Sequence, residues 1–311
     1  MRALPEGYEI RPATLDDLDA VAAVMRAVDT DVTGGFDLDA DMIRDLWSSP
    51  GIDLALDAWV VSTGDAVVAY AHVQEDGATR LKGCGDVNPD HRERGIGSVI
   101  LERTEARAAE RFAAVPEGVL DLAASDGNDE AAALMRSRGF EYARSFRHMQ
   151  IDLDGSPADA GEPPDGIEIR GIEPERDLPE IHAIFVDAFR DEWGYREIPF
   201  EEWKGNEVDT PSFDPGFWFI AEDESGPVGA VSGLIWDELG WVGELGVRKP
   251  WRGRGIAAAL LRRSFSTFGS RGLTRVRLNV DAENPTGAVA LYERVAMRKV
   301  RGWDIYEKRF A

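Results

Sequence analysis

The sequence predicts an α/β (α+β) fold made of two tandem domains, each with a mixed, twisted β-sheet flanked by helices. The same order of apolar strands and amphipathic helices occurs twice along the 311 residues, at an offset near 160. That period is too long for one unit of a solenoid. Between the copies, the segment DGSPADAGEPPDG is typical of a linker. We therefore predict an N-terminal domain at 1–153, a linker at 154–166 and a C-terminal domain at 167–311.

The elements of the two halves correspond in order. Each half begins with a short strand and a helix with an apolar stripe, and two hairpin strands follow. A loop rich in Arg and Gly, a helix, a strand, a helix led by Asn and a closing strand pair complete each half. The matching segments are 9–12 with 168–171, 59–61 with 218–220, 66–73 with 228–235, 98–111 with 258–268, 119–124 with 275–280, and 140–153 with 297–310.

The composition excludes several classes of protein. A net charge of −23 would repel nucleic acid and anionic membranes, so neither is expected as a partner. No apolar run approaches the length of about 18 residues that a membrane-spanning helix needs, and the N-terminus does not resemble a signal peptide. We expect a soluble, cytoplasmic protein, either a monomer or a homodimer. The single Cys84 excludes an internal disulfide, and the four scattered histidines do not predict a metal site.

The loop within ELGVRKPWRGRGIAAALLRR, at 244–263, predicts a phosphate-binding site. Gly253 and Gly255 carry no side chain, so backbone N–H groups at the start of the following helix can close on an anion. Arg252 and Arg254 would add charged donors at the same place. A Walker loop is excluded because Ile256 follows the last glycine where Lys is required.

The first half carries a second copy of this loop. Val87 to Gly97, VNPDHRERGIG, aligns with VRKPWRGRGIA, so that Arg92 matches Arg252 and Gly95 matches Gly255. A dinucleotide-binding pattern G-x-G-x-x-A is present in the second copy alone, since Glu93 replaces its first glycine in the first. What repeats is the pattern Arg-x-x-Gly-x-small.

That repeated pattern resembles the acyl-CoA loop of the Gcn5-related N-acetyltransferases (GNAT), and the order of elements also matches this family. The two-domain chain is similar to its tandem members, which include mycothiol synthase and antibiotic N-acetyltransferases. The resemblance implies acetyl-CoA as the cofactor and backbone pairing of the pantetheine arm with the strand before the loop. The implied cofactor-binding residues are Leu245, Gly246, Val247, Arg252, Gly253, Arg254, Gly255, Ile256, Ala257 and Asn284 in the second domain, and Val87, Arg92, Arg94, Gly95, Ile96, Gly97 and Asn128 in the first.

The resemblance also implies a general acid that protonates the departing thiolate. The family places a tyrosine seven or eight residues after an Asn on the helix behind the sixth strand, and Tyr292 follows Asn284 at this spacing. A tyrosine that only packs against the sheet is the alternative. The first copy keeps Asn128 but has Met135 at the tyrosine position, and a thioether cannot donate a proton. We therefore predict that the second domain is catalytic and the first is not.

Glu244 is the candidate general base. It lies on the strand that leads into the loop, where partial burial of a carboxylate would raise its pKa toward a value suited to accepting a proton. The alternative is a solvated residue at a strand edge. Cys84 stands at the equivalent position of the first copy.

The segment 187–209, DAFRDEWGYREIPFEEWKGNEVD, is the candidate acceptor site. Its aromatic and acidic side chains together suit an ammonium-bearing small molecule, although the aromatics could instead belong to the core. The predicted substrate-binding residues are Glu192, Trp193, Tyr195, Glu197 and Trp203.

The predicted activity is transfer of an acetyl group from acetyl-CoA to the primary amine of a small molecule, by direct attack in a ternary complex. The motifs are compatible with thiol biosynthesis, drug modification and acetylation of a protein or peptide amine. A non-catalytic acyl-CoA-binding regulator or scaffold is the alternative class, and the presence of Asn284 and Tyr292 in one copy argues against it.

Overall fold

The computed structural model describes residues 2–33, 40–49, 51–156, 159–236, 238–284 and 286–310. Residues 157 and 158 of the predicted linker lie outside this part of the chain. Contacts divide the protein into two compact units, Met1–Phe146 together with Arg301–Ala311, and Arg147–Val300. The boundaries at 153 and 167 stay a prediction.

The first half of the chain forms helices and strands in the predicted order. They are β1 (Glu9–Pro12), α1 (Leu18–Thr33), α2 (Ala40–Trp47), α3 (Leu54–Asp57), β2 (Ala58–Thr63), β3 (Ala66–Glu75), β4 (Arg80–Val87), α4 (Ile96–Arg111), β5 (Gly118–Ser125), α5 (Asp129–Ser137) and β6 (Glu141–Asp152).

The second half repeats this order with one helix fewer between its first two strands. Its elements are β7 (Glu168–Gly171), α6 (Pro174–Phe189), α7 (Phe200–Glu207), β8 (Phe219–Asp223), β9 (Gly226–Trp236), β10 (Leu239–Val247), α8 (Ile256–Ser270), β11 (Arg275–Asp281), α9 (Ala288–Arg294) and β12 (Arg298–Phe310). The predicted mixed α/β fold and the repeat of elements are confirmed.

Each unit contains a mixed sheet. The strand order is β1-β2-β3-β4-β5-β12 in the first unit and β6-β11-β10-β9-β8-β7 in the second. The pairs β4 with β5 and β10 with β11 are parallel. The antiparallel pairs are β1 with β2, β2 with β3, β3 with β4, β5 with β12, β7 with β8, β8 with β9 and β9 with β10. Both parallel pairings are short, since that of β10 covers only Gly240 and Trp241 and that of β4 ends at Gly83. The carboxyl ends of β10 and β4 therefore extend past the residues that pair with β11 and β5.

The closing strands differ from the predicted strand pair in each half. Each closing segment forms one long strand, because β6 and β12 run without a turn. In β12, Trp303 to Phe310 pair antiparallel with β5, so the end of the chain completes the sheet of the first unit. Tyr306 is 1% exposed in the core of that unit. In the second unit, Met149 of β6 belongs to the core and Gln150 accepts a hydrogen bond from Arg277 at 2.6 Å.

Helices cover the central strands of the second unit. Glycine allows α6 to approach β10, because a Cβ atom on Gly246 would lie 2.9 Å from the Cβ of Ala188 and 3.1 Å from the ring of Phe185. Phe268 of α8 stacks on Phe217 with ring centroids 4.8 Å apart. Within the described residues, no helix combines the length and the apolar character that crossing a membrane requires.

Candidate active site

The loop after β10 has the backbone geometry of an anion cradle. Gly253 and Gly255 adopt φ values of 76° and 83°, which favour glycine, and Gly255 caps the N-terminus of α8. A Cβ atom on Gly253 would meet nothing within 4 Å, and the loop from Gly253 to Gly255 is exposed. The first N–H groups of α8 thus lie at an open surface, which fits the phosphates of acetyl-CoA.

The two arginines of the loop have different roles. Arg252 Nε donates to the carbonyl oxygen of Val247 at 3.0 Å, and its Nη2 donates to that of Ala188 at 3.2 Å. The Arg252 guanidinium therefore ties the loop to β10 and to the end of α6, and its role as a charged donor to phosphate stays a prediction. Arg254 is exposed and makes no hydrogen bond or ion pair among the described residues, so its charge is available to an anion.

The strand before the loop positions Glu244 at a bulge. The register of β10 against β9 shifts between Val242 and Leu245. The Glu244 N–H donates to Ser232 Oγ at 2.8 Å, and a Cβ atom on Gly243 would also lie 2.8 Å from this oxygen. Since a bulge redirects the side chains beside it, this contact fixes the direction of Glu244. Leu245 is half-buried, and Gly246 and Val247 are buried.

The Glu244 carboxylate is largely shielded from solvent. Its Oε2 accepts a hydrogen bond from Trp203 Nε1 at 3.0 Å. Burial raises the pKa of Glu244 to about 7, the Trp203 hydrogen bond opposes this shift, and the charge of Glu207 adds to it. A carboxyl group that titrates near neutrality can accept a proton and release it again.

Tyr292 lies on α9, and Asn284 lies in the loop before this helix. Tyr292 is 8% exposed, and burial, followed by the nearby charge of Glu192, raises the pKa of its hydroxyl well above the ordinary value. Asn284 Nδ2 donates to Glu192 Oε1 at 2.7 Å, and Asn284 Oδ1 accepts from the Thr286 N–H at 2.8 Å. Glu192 therefore joins the predicted acceptor segment to the predicted acid.

The rest of the acceptor segment divides between site and core. The hydroxyl of Tyr195 is buried without a hydrogen-bond partner in the described part of the chain, and burial and then the charge of exposed Glu197 raise its pKa. Trp193 is half-buried. Trp203 is 4% exposed and packs its ring against those of His182 and Phe200, as a core residue does.

Sequence reasoning missed two residues of this site. Ser232 holds the bulge, and no local pattern distinguishes it from any other small residue of a buried strand. Glu207 lies four residues after Trp203 on α7, so the two share one face of the helix. That spacing is a signal that could have identified Glu207 once Trp203 was selected.

The predicted residues of the first unit, except Arg94, line one cavity of about 250 Å³. The φ value of Gly95, 82°, repeats that of Gly255. Met135 lines the cavity where the second unit has Tyr292. The predicted residues among those that line it are Val87, Arg92, Gly95, Ile96, Gly97 and Asn128.

The charged groups of this loop are engaged within the first unit. Arg92 donates to Asp31 Oδ2 at 2.5 Å, and Arg94 donates to the Tyr8 hydroxyl at 3.1 Å. Cys84, at the position of Glu244, donates its S–H to Asp86 at 3.3 Å. Burial raises the pKa of Cys84 well above its ordinary value, so this thiol is a poor substitute for a carboxylate base.

Comparisons with known proteins agree with this geometry. The sequence model of the Acetyltransferase (GNAT) family matches residues 27–140 and again residues 178–297. A mycothiol acetyltransferase of Thermomonospora curvata is 31% identical over 242 residues, covering 75% of this chain and 76% of the relative. A mycothiol acetyltransferase of Cellulomonas flavigena is 28% identical over 255 residues, covering 78% and 72%.

Solved structures show the same fold over both halves. A Gcn5-related N-acetyltransferase from Sphaerobacter thermophilus has a TM-score of 0.88 and 31% identity, and the match covers 99% of this chain and 97% of that one. A tandem GNAT protein from the clavulanic acid biosynthesis pathway has a TM-score of 0.71 and 16% identity, covering 97% and 98%. Because the family model matches most of the chain in two copies, this chain belongs to the GNAT family of acetyltransferases, whose acyl donor is acetyl-CoA.

Proposed function

We propose that the second unit transfers the acetyl group of acetyl-CoA to the primary amine of a small molecule, by direct attack in a ternary complex. The observation that carries the proposal is the buried carboxylate of Glu244, with a pKa raised to about 7, on the strand that enters the loop before α8. Glu244 lies on the strand that enters the loop, and Glu192 links to Asn284 and acts on Tyr292. The second unit therefore has a candidate proton acceptor on β10 and a candidate proton donor on α9.

Each residue has a proposed role. When bound, the cofactor supplies the acetyl thioester. Glu244 accepts the proton that the amine loses, directly or through water, and Tyr292 donates a proton to the thiolate. The exposed N–H groups at the start of α8 and Arg254 hold the phosphates. The backbone of β10 from Leu245 to Val247 binds the pantetheine arm as an added strand would.

The acceptor is proposed to be a cationic amine. Glu192 and Glu197 flank Tyr195 in the sequence, the charge of Glu197 acts on the Tyr195 hydroxyl, and carboxylates beside an aromatic ring favour an ammonium group. The relatives named mycothiol acetyltransferase support a small-molecule acceptor rather than a protein. The test is a panel of amino sugars, aminoglycosides, cysteinyl conjugates and N-terminal peptides, with release of the CoA thiol as the readout.

Replacement of Glu244 tests the mechanism. We expect Glu244→Gln to lower kcat/KM by about 100-fold or more, because the proton acceptor is lost while the shape is kept. Since the carboxylate is the active form, wild-type activity should rise with pH through about 7 and be lost below it. The variant should lack this acidic limb but bind CoA normally by calorimetry. An unchanged limb in Glu244→Gln would assign the base to another group.

The first unit is proposed to bind acyl-CoA without turnover. The cavity keeps the glycine geometry of the loop, while Met135 and Cys84 stand where the second unit has its acid and base. Calorimetry should then give two CoA molecules per chain, and the lower affinity should belong to the first unit because Arg92 and Arg94 are already bonded. One molecule per chain, lost on substitution of Arg254, would leave the first unit a scaffold.

A further inference from the structure

Two side chains of α7 converge on Glu244. Trp203 and Glu207 are four residues apart, which places them one turn apart on the same helical face. The Trp203 indole donates to Glu244 Oε2 at 3.0 Å from a position that is 4% exposed. Glu207 is half-buried, burial raises the pKa of its carboxyl group, and within the described residues it has neither a hydrogen bond nor an ion pair. Helix α7 therefore brings the Trp203 N–H donor and the unpaired Glu207 carboxylate to the carboxyl group of Glu244.

The opposite side of Glu244 is fixed by the sheet. Ser232 is 3% exposed on β9, and its hydroxyl accepts the Glu244 N–H at 2.8 Å. The backbone of the bulge therefore has little freedom, and Trp203 occupies Oε2. Of the two carboxylate oxygens of Glu244, Oε1 is the one that accepts no hydrogen bond from the described residues.

We propose that Trp203 and Glu207 are positioning residues that hold Glu244 as the proton acceptor for the incoming amine, with Oε1 directed to it. The inference rests on the proposed role of Glu244. It gives α7 a function beyond packing, because the helix would set both the direction of the carboxylate and the pH at which it works.

The two residues act on Glu244 in opposite directions. An N–H donor stabilises the charged carboxylate and lowers its pKa, whereas a second carboxylate nearby disfavours the charged form and raises it. Tyr195, in the loop before α7, also faces Glu244, since the charge of Glu244 contributes to the raised pKa of Tyr195. His182 of α6 packs its ring 5.2 Å from that of Trp203. No other charged group acts on Glu244 as strongly as Glu207 within the described residues.

The test is the acidic limb of the profile of kcat/KM against pH. Trp203→Phe keeps an aromatic ring but removes the donor, so the limb should move up by about half to one pH unit. Glu207→Gln keeps the shape but removes the charge, so the limb should move down by about half a unit. A purely structural helix predicts no displacement, or the same displacement in both variants, and either result overturns the inference.

Controls separate this inference from the proposed function. Trp218→Phe removes a neighbouring buried indole that packs on Trp203, and it should leave the limb in place. If Glu244→Gln keeps the limb, the assigned base is wrong. If Glu244→Gln abolishes it while both α7 variants leave it unmoved, only the role of α7 is wrong.

A readout without turnover identifies the titrating group. NMR of protein with ¹³C-labelled Glu side chains, recorded without cofactor, should show the Glu244 carboxyl titrating near 7 in the wild type and displaced in opposite directions in the two variants. This measurement also excludes His182 as the source of the limb. Should Trp203→Phe not fold, the half-buried Glu207→Gln decides alone, since an unmoved Glu244 titration in that variant overturns the proposal.

Discussion

Tyr292 carries its hydroxyl in the buried core of the second unit, on the short helix α9. Burial disfavours the phenolate, and the charge of Glu192 disfavours it further, so the hydroxyl stays protonated throughout the working pH range. A group that is always protonated is a constant proton donor. The pH dependence of the reaction should therefore come from Glu244, whose pKa is about 7, and not from the tyrosine.

Tyr292→Phe tests the donor role at the level of one atom. We expect kcat to fall by about 100-fold, because the ring still packs but the proton donor is lost. The affinity for CoA and the acidic limb near pH 7 should be unchanged. Steady-state kinetics from pH 6 to about 10, with calorimetry for CoA, check both expectations. Wild-type rates in this variant would mean that solvent protonates the thiolate and that Tyr292 is only a core residue.

Helix α6 and strand β10 form the element contact on which the site depends. Gly246 has no room for a side chain, since a Cβ atom there would lie 2.9 Å from Ala188 and within 3.3 Å of Ile184. The resemblance to the family places Gly246 among the cofactor-binding residues. The structure shows that it lets the helix approach, and cofactor contact with Gly246 would involve its backbone.

Gly246→Ala should destabilise the protein by about 1–3 kcal/mol, because the added methyl group overpacks the contact between α6 and β10. Gly205→Ala is the matched control. Gly205 lies within α7 with nothing within 4 Å of an added Cβ atom, so alanine should stabilise by about 0.5–1 kcal/mol. Denaturant unfolding of both variants measures the difference. Equal stability would show that α6 can move away from the strand without cost.

Local patterns predict these elements well but not the contacts that complete the site. The loops could be predicted because Gly95 and Gly255 need positive φ values, and that requirement is visible in single residues. The bonding of Arg252 to the Ala188 carbonyl and of Asn284 to Glu192 could not, because both join segments that are far apart in sequence. Pairings over such separations depend on the assembled sheet and helices.

At the scale of the molecule, the two halves keep the same structural ion pair and differ in chemistry. Arg11 pairs with Asp17 and Arg170 with Asp177, each with two hydrogen bonds, where the first strand of each unit meets the following helix. The acid and base candidates occur in the second half alone. The repeat therefore preserves what folds the unit, while the residues proposed for catalysis have diverged.

The path of the last strand is the feature of the molecule that the repeat could not predict. Two copies of one sequence pattern suggest that each copy closes its own sheet, but β12 pairs with β5 over eight positions from Trp303 to Phe310. Its side chains also form ion pairs in the first unit, between Glu307 and Arg80 and between Lys308 and Glu105. The stability of the first unit should therefore depend on the C-terminus of the chain.

Tyr306→Ala tests that dependence. Tyr306 is 1% exposed, and its hydroxyl accepts a hydrogen bond from Arg136 at 2.7 Å, so its removal leaves a cavity and costs about 3–5 kcal/mol. The loss should appear in hydrogen exchange as faster exchange in β5 and β4, while β9 and β10 keep their protection. Ile305→Ala, at a half-buried neighbouring position on β12, should have a smaller effect. Equal loss of protection in the strands of both units would show that the protein unfolds as one cooperative body, and unchanged exchange in β5 would show that β12 does not stabilise the first unit.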